Sequence, residues 1–297
     1  MTNHRFGGAL PQLVFGSLCF VWGSTWLAIK VGLGSMPPFL FAGIRFVIAW
    51  GVLMAYALAT RIQFPKDKGS WQVMLFLGIT QIAVPYALTF WGEQYMTAGL
   101  TALLFATLPF FVVVFAHFLI PGEHVTAWKL SGMLVSFAGV VIIFSGELML
   151  TGSSFWGGLA VIGASCSAAC ANVVGKKFSQ LINSTANVVV QMGVGAFFLT
   201  SAGLTLERQF PPNLDQTSIF TILYLSVVGS AFGFVALYWL FTRMEVTRIS
   251  LFTFITPIVA VVLGWLMLGE RVDANVAVGG SFILVGVMLV NRTPKTR

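Results

Sequence analysis

Apolar residues fill this chain in long runs, interrupted at short intervals by clusters of polar residues, proline or glycine. Ten runs approach or exceed the ~20 residues that carry a helix across a hydrocarbon core, at approximately 10–30, 38–59, 71–92, 97–119, 127–146, 155–175, 187–206, 218–241, 248–268 and 274–291. The breaks are so short that successive helices must be antiparallel neighbours, and no room remains for a separate soluble domain. Even the longest breaks, Arg61–Ser70 and Glu207–Thr217, read as linkers. The pattern predicts an all-α integral membrane protein of ten transmembrane helices. The first run lacks the small-residue cleavage pattern of a removable signal, and nine more follow it, so it is expected to remain as a helix.

The pattern also repeats. A shift of 147 or 148 residues aligns Tyr86–Trp91 with Phe234–Trp239, Met96 with Met244, Leu103 with Leu251 and Pro109 with Pro257. After a one-residue gap, Gly122-Glu123-His124-Val125 meets Gly269-Glu270-Arg271-Val272, and Gly132 and Gly139 meet Gly279 and Gly286. Near the start of each half, Gly16, Cys19 and Lys30 fall on Gly163, Cys166 and Lys177. Each half holds five spans, an odd number, so the second half must sit inverted relative to the first, as in alternating-access transporters. The expected organisation is a tail over 1–9, a first repeat over 10–146, a linker over 147–154, a second repeat over 155–291 and a tail over 292–297.

Composition sharpens this picture: 58% of the residues are hydrophobic and 8% are charged, against roughly a quarter charged in a soluble domain. The net charge of +7 does not form the basic stripe of a nucleic-acid binder. With the N-terminus inside, the cytoplasmic ends hold twelve basic residues (Arg5, Arg61, Lys66, Lys68, Lys129, Lys176, Lys177, Arg243, Arg248, Arg292, Lys295 and Arg297), and the other side holds Lys30, Arg45, Arg208 and Arg271. That asymmetry predicts that both termini are cytoplasmic. The cysteines, Cys19, Cys166 and Cys170, all lie within spans and read as small packing residues.

Trp22-Gly23-Ser24-Thr25, then Pro37-Pro38 followed by Arg45-Phe46, and the paired proline, Gly-Glu and Gly-x6-Gly units closing each half carry a resemblance. By these features the chain resembles the drug/metabolite transporter superfamily, EamA type, over almost its whole length, and within it the YddG-type aromatic amino-acid exporters. The resemblance implies ten helices around a central substrate cavity between the two halves, in a bacterial inner membrane. The second half departs from the first: Ala169-Cys170-Ala171-Asn172 replaces the Trp-Gly-Ser-Thr run, and Gln191 stands roughly where Arg45 would.

All nine acids (Asp67, Glu93, Glu123, Glu147, Glu207, Asp215, Glu245, Glu270 and Asp273) fall in loops or at span ends. Proton-coupled transporters usually carry an intramembrane carboxylate, so no carboxylate relay is expected. Glu123 and Glu270 follow glycines where helices stop and read as turn residues, with Thr126 and Asp273 suited to cap the next helices. Lys30 ends span 1 and is expected to snorkel to the headgroups. Arg45, about seven residues into span 2, must bind helix carbonyls or the interface, or meet a substrate carboxylate. Proline in spans 4 and 9, at Pro109 and Pro257, allows either a fixed kink or a moving gate. Gly132 with Gly139, and Gly279 with Gly286, each place two small residues on one helix face for close packing.

Polar and aromatic side chains inside spans need a partner or a water-filled cavity. The expected substrate-binding set is Trp22, Trp26, Arg45, Gln81, Tyr86, Asn172, Gln191 and Tyr238. Such a pocket, largely apolar with a few hydrogen-bonding groups, suits a neutral or zwitterionic metabolite, an amino acid above all. A sugar-phosphate or nucleotide-sugar carrier would want several cations there. No metal-ligand pair, nucleophile with its base or phosphate loop is visible, which argues against an enzyme and predicts no catalytic residue, metal or cofactor. The expected partners are a small-molecule substrate and the lipid bilayer, with the chain acting as a monomer and no nucleic acid involved.

Overall fold

The computed structural model describes residues 9–120, 126–146, 152–178, 181–210, 212–241, 243 and 252–290. Among these, eight helices are long and apolar enough to span a membrane: α1 Ala9–Gly32, α2 Pro38–Ala59, α3 Lys68–Glu93, α4 Ala98–Leu119, α5 Ala127–Phe144, α6 Gly152–Phe178, α7 Ser184–Leu206 and α8 Gln216–Leu240. Two shorter apolar helices, α9 Phe252–Leu268 and α10 Ala274–Val290, complete the ten. The first residues of the predicted span 9, together with Glu123 and both chain termini, lie outside the described residues. The end of the bundle where α1 begins is called the near end below, and the end where α1 finishes the far end.

Which helices touch expresses the inverted repeat. α1 packs on α9 as α6 packs on α4, and α3 on α6 as α8 on α1, while α2–α7 and α5–α10 pair equivalent helices across the axis. Two capping sites repeat as well. The Asp67 carboxylate accepts the Ser70 N–H at 2.7 Å at the start of α3, and Asp215 accepts the Ser218 N–H at 2.7 Å at the start of α8. Each satisfies one orphan donor of a helix start, and the two caps are 148 residues apart. Thr126 caps α5 in the same way, through the Lys129 N–H at 3.3 Å.

Small residues set the distances between paired helices. A methyl group added to Gly139 would collide with the Gly279 carbonyl, one on Gly279 would lie 2.6 Å from the Gly139 carbonyl, and one on Gly286 would meet Ser136 and Gly132. With no hydrophobic drive between helices in lipid, such backbone contact supplies the packing. The two equivalent prolines behave differently. Pro109 sits at the start of a new helical segment, Leu108–Leu119, after a break at Ala106 and Thr107, whereas Pro257 lies inside continuous α9.

α3 and α8 share a feature that the alternation of apolar residues does not reveal. Each contains a π-helical segment, Gly78–Ala83 in α3 and Tyr224–Phe232 in α8, at equivalent places in the repeats. A π-turn widens the helix and leaves a carbonyl unmatched. In α3, Pro85 has no N–H to offer the preceding turn, and the Thr80 carbonyl instead accepts the Ser167 hydroxyl of α6 at 2.9 Å. In α8, the Gly229 carbonyl accepts the indole N–H of Trp22 from α1 at 3.1 Å.

Candidate functional site

Between the two repeats, the helices line a partly open cavity of about 120 Å³, below the ~300 Å³ where small-molecule pockets begin. Trp22 and Trp26 from α1, Arg45 from α2, Gln81 and Tyr86 from α3 and Asn172 from α6 all line it. α9 adds Phe252, Thr253 and Thr256, α8 adds Phe234 and Leu237, and α4 adds Phe105. No carboxylate is among the described residues that line it.

The π segments position this wall. Gln81 belongs to the π turn of α3 and faces the cavity. Across from it, the α8 π segment holds two other lining side chains: Gly229 anchors Trp22, and the Ser230 hydroxyl accepts Nε of Arg45 at 2.8 Å. Trp22 is further wedged edge-on against Phe252 at 5.0 Å and Phe234 at 5.7 Å. A second α1–α8 link joins the hydroxyls of Ser24 and Tyr224 at 2.6 Å.

Arg45 is the largest fully buried side chain, with 1% exposure. Its guanidinium carbon lies 4.8 Å from the Tyr86 ring centre, 5.3 Å from Phe46 and 5.9 Å from Phe90, so aromatic faces replace part of its lost hydration. Nη1 has no hydrogen-bond partner. Nε thus braces α2 against α8, while Nη1, itself buried, is left without a partner on a residue that lines the cavity.

Gln191 and Tyr238 lie apart from this lining. Gln191 is buried at 1% exposure and donates its amide to the Tyr238 hydroxyl at 3.1 Å, and Asn187 adds a donor at 3.4 Å. Tyr238 borders a separate void of about 10 Å³ with Leu77, Gly175 and Ser184. The amides thus bind the phenol and tie α7 to α8, instead of facing the cavity. Sequence reasoning missed Phe105, Thr253 and Thr256. Phe105 is one of 28 phenylalanines and carries no distinguishing signal, and threonines within a span commonly bond their own helix.

The far end is tied by carboxylates and a lysine. Glu270 reaches back from beyond α9 to accept the N–H groups of Ala98 at 2.8 Å and Gly99 at 3.4 Å, capping α4. Glu207, from beyond α7, accepts those of Phe39 at 2.9 Å and Leu40 at 2.8 Å, capping α2. Both place negative charge on a helix N-terminus, where the backbone dipole favours it. Glu270 is therefore more than a turn residue, and the linker that begins at Glu207 joins helices. Lys30 does not extend outward; its ammonium donates to the backbone carbonyls of Glu93 at 2.9 Å and Gln94 at 3.3 Å.

Comparison with known proteins agrees with this architecture. The EamA-like transporter family matches residues 12–145 and, a second time, residues 155–292. The uncharacterized transporter YoaV of Bacillus subtilis is 26% identical over 274 residues, covering 92% of this chain and 94% of its own. The uncharacterized inner membrane transporter YedA of Escherichia coli K12 is 26% identical, covering 96% and 92%. A protein of the same organism described as a probable amino-acid metabolite efflux pump is 27% identical, covering 96% and 94%. A solved crystal structure, 18% identical, matches with a TM-score of 0.65 over 95% of this chain and 96% of that one, and so shares the fold.

Proposed function

The chain belongs to the EamA-like transporter family, a multi-pass membrane transporter, and from that premise we propose that it exports small metabolites, amino acids above all, aromatic ones included. Substrate moves by alternating access between repeats spanning residues 10–146 and 155–291, in a bacterial inner membrane, with both termini cytoplasmic and the chain acting as a monomer. One observation carries the substrate class: a fully buried arginine with an unpartnered Nη1 lines an aromatic cavity with no acid among its described lining residues. A single cation of this kind suits one carboxylate, through a charge-assisted hydrogen bond.

The amides of Gln81 and Asn172 supply carbonyl oxygens for the ammonium of a zwitterion, and Trp22, Trp26 and Phe105 supply the apolar walls. A phosphate would want several fixed cations, and Arg45 is the only basic residue among the described residues of the lining. With no carboxylate among the described residues of the cavity, substrate does not displace a proton from an acid there. The description of one relative as an amino-acid metabolite efflux pump supports the same reading.

Ligand-induced stabilisation of the purified protein tests the proposal. A ligand that binds only the folded state raises stability by about 2.7 kcal/mol at a hundred times its Kd. Amino acids are expected to raise the melting temperature, and the corresponding amino-acid amides, which lack the carboxylate, are not. Equal shifts from both would contradict the assignment of Arg45.

A further inference from the structure

Glu93 ends α3 at the far end of the bundle, where its position in sequence groups it with the loop acids. Its surroundings set it apart. It is 0% exposed, and neither Oε1 nor Oε2 has a hydrogen-bond partner. Three charged groups act on it electrostatically, Lys30 of α1, Arg45 of α2 and Glu270 from the segment after α9, and each is engaged elsewhere. Lys30 binds the backbone carbonyls of residues 93 and 94, Arg45 binds Ser230, and Glu270 binds the start of α4. α6 packs on the same turn, so closely that a methyl group on Gly92 would lie 2.6 Å from the Gly157 carbonyl. That end of α6 carries no charged residue from Gly152 to Gly175.

An ionised carboxylate held this way is shut off from solvent and has no protein donor, and such a buried charge costs several kcal/mol. A neutral carboxyl costs far less. Glu93 also lies four residues beyond Thr89 on the same helix face, and Thr89 lines the substrate cavity. The Lys30 contacts that close α1 onto the end of α3 therefore lie about one helical turn beyond the cavity lining, toward the far end. From this geometry we infer that Glu93 is a proton-binding site, occupied while the far end is closed and emptied when that end opens.

One proton is bound per site. In the closed arrangement it sits on one Glu93 oxygen. When α1 separates from α3, Lys30 leaves the carbonyls, water reaches the carboxyl, and the proton passes to the far-side solution, leaving a hydrated carboxylate. Closure requires that a proton be taken up again. No acid is among the described residues that line the cavity, so this is a proton site beyond it and not one that substrate displaces. The transport consequence rests on the reading proposed above, but the protonation state does not, and the two can be tested apart.

Infrared difference spectroscopy of the protein in lipid at neutral pH, with no substrate present, reads the site directly. The wild type is expected to show the C=O stretch of a protonated carboxylic acid, and Glu93→Gln is expected to lack it. Should Glu93→Gln fail to fold, Glu93→Asp keeps a carboxyl and is expected to move the band. Identical carboxyl regions in wild type and the folded variant at neutral pH would overturn the inference. The link to opening is read from exchange of any transported solute across proteoliposomes. Acidifying the far side is expected to slow exchange by the wild type, and a rate independent of far-side pH would overturn that part.

Discussion

Arg45 has one guanidinium nitrogen without an acceptor in an apolar surround, and a hydrogen bond from a charged group contributes about 1.5–3 kcal/mol. Arg45→Gln is therefore expected to weaken amino-acid binding roughly tenfold to a hundredfold. Arg45→Lys should not restore it, because an ammonium cannot both hold Ser230 and reach a carboxylate as the planar fork does. Titration calorimetry on both variants checks this. Gln81→Met and Asn172→Leu each remove an amide at similar volume and are expected to cost about 1–3 kcal/mol of substrate affinity. Gln191→Met, whose amide binds Tyr238, should leave affinity alone and lower thermal stability. Trp22→Ala should weaken aromatic substrates more than small aliphatic ones. At this scale sequence was a partial guide. Polarity inside an apolar span singled out Arg45, Gln81 and Asn172, because lipid makes an unpartnered polar group costly. Gln191 and Tyr238 gave the same signal for another reason, since the Gln191 amide N–H is bound by the Tyr238 hydroxyl. Sequence separates a residue that needs a partner from one that does not, but it does not say whether that partner is protein or substrate.

The helices themselves were legible, with boundaries close to those observed, since span length and apolarity are imposed by the bilayer. The π segments of α3 and α8 were not, because widening a turn changes neither composition nor period over a whole span. Their equivalence emerges only when the two repeats are laid over one another. Packing through glycine was readable from spacing, and it yields a contrast. Gly139→Ala drives a methyl into the α10 backbone and is expected to destabilise the protein by about 1–3 kcal/mol. Gly51→Ala, with open space around it, should be close to neutral, and thermal melting of the two variants side by side checks the difference. The matched caps give a pH signature. Donation from the backbone N–H and hydroxyl of Ser70 holds the Asp67 carboxyl below its usual value, and the Ser218 N–H and hydroxyl do the same for Asp215. Their folded values lie below the unfolded ones, so the caps contribute stability above the ordinary carboxylate range and lose it as pH falls through the lowered value. Asp67→Ala and Asp215→Ala should lower the melting temperature at neutral pH, and the difference from wild type should vanish in acid.

At the scale of the whole molecule, the inverted repeat was visible in sequence as displaced glycines, prolines and aromatics, and helix pairing expresses it as α1–α9 against α6–α4. What sequence did not convey is how unequal the halves are. α2 contributes Arg45 to the cavity, while α7, its counterpart, contributes nothing; Glu207 and Lys30 tie the far end through contacts between helices distant in sequence. The charge asymmetry predicts that single cysteines at positions 3 and 295, introduced into a variant lacking the native three, react only from the cytoplasmic side. The account as a whole turns on an amino acid crossing between the repeats by way of Arg45. Counterflow in proteoliposomes tests that most directly: vesicles preloaded with unlabelled amino acid should take up the labelled compound through the wild type and Gly51→Ala, with Arg45→Gln strongly reduced. Counterflow of sugar phosphates but of no amino acid, or full amino-acid counterflow through folded Arg45→Gln, would contradict it.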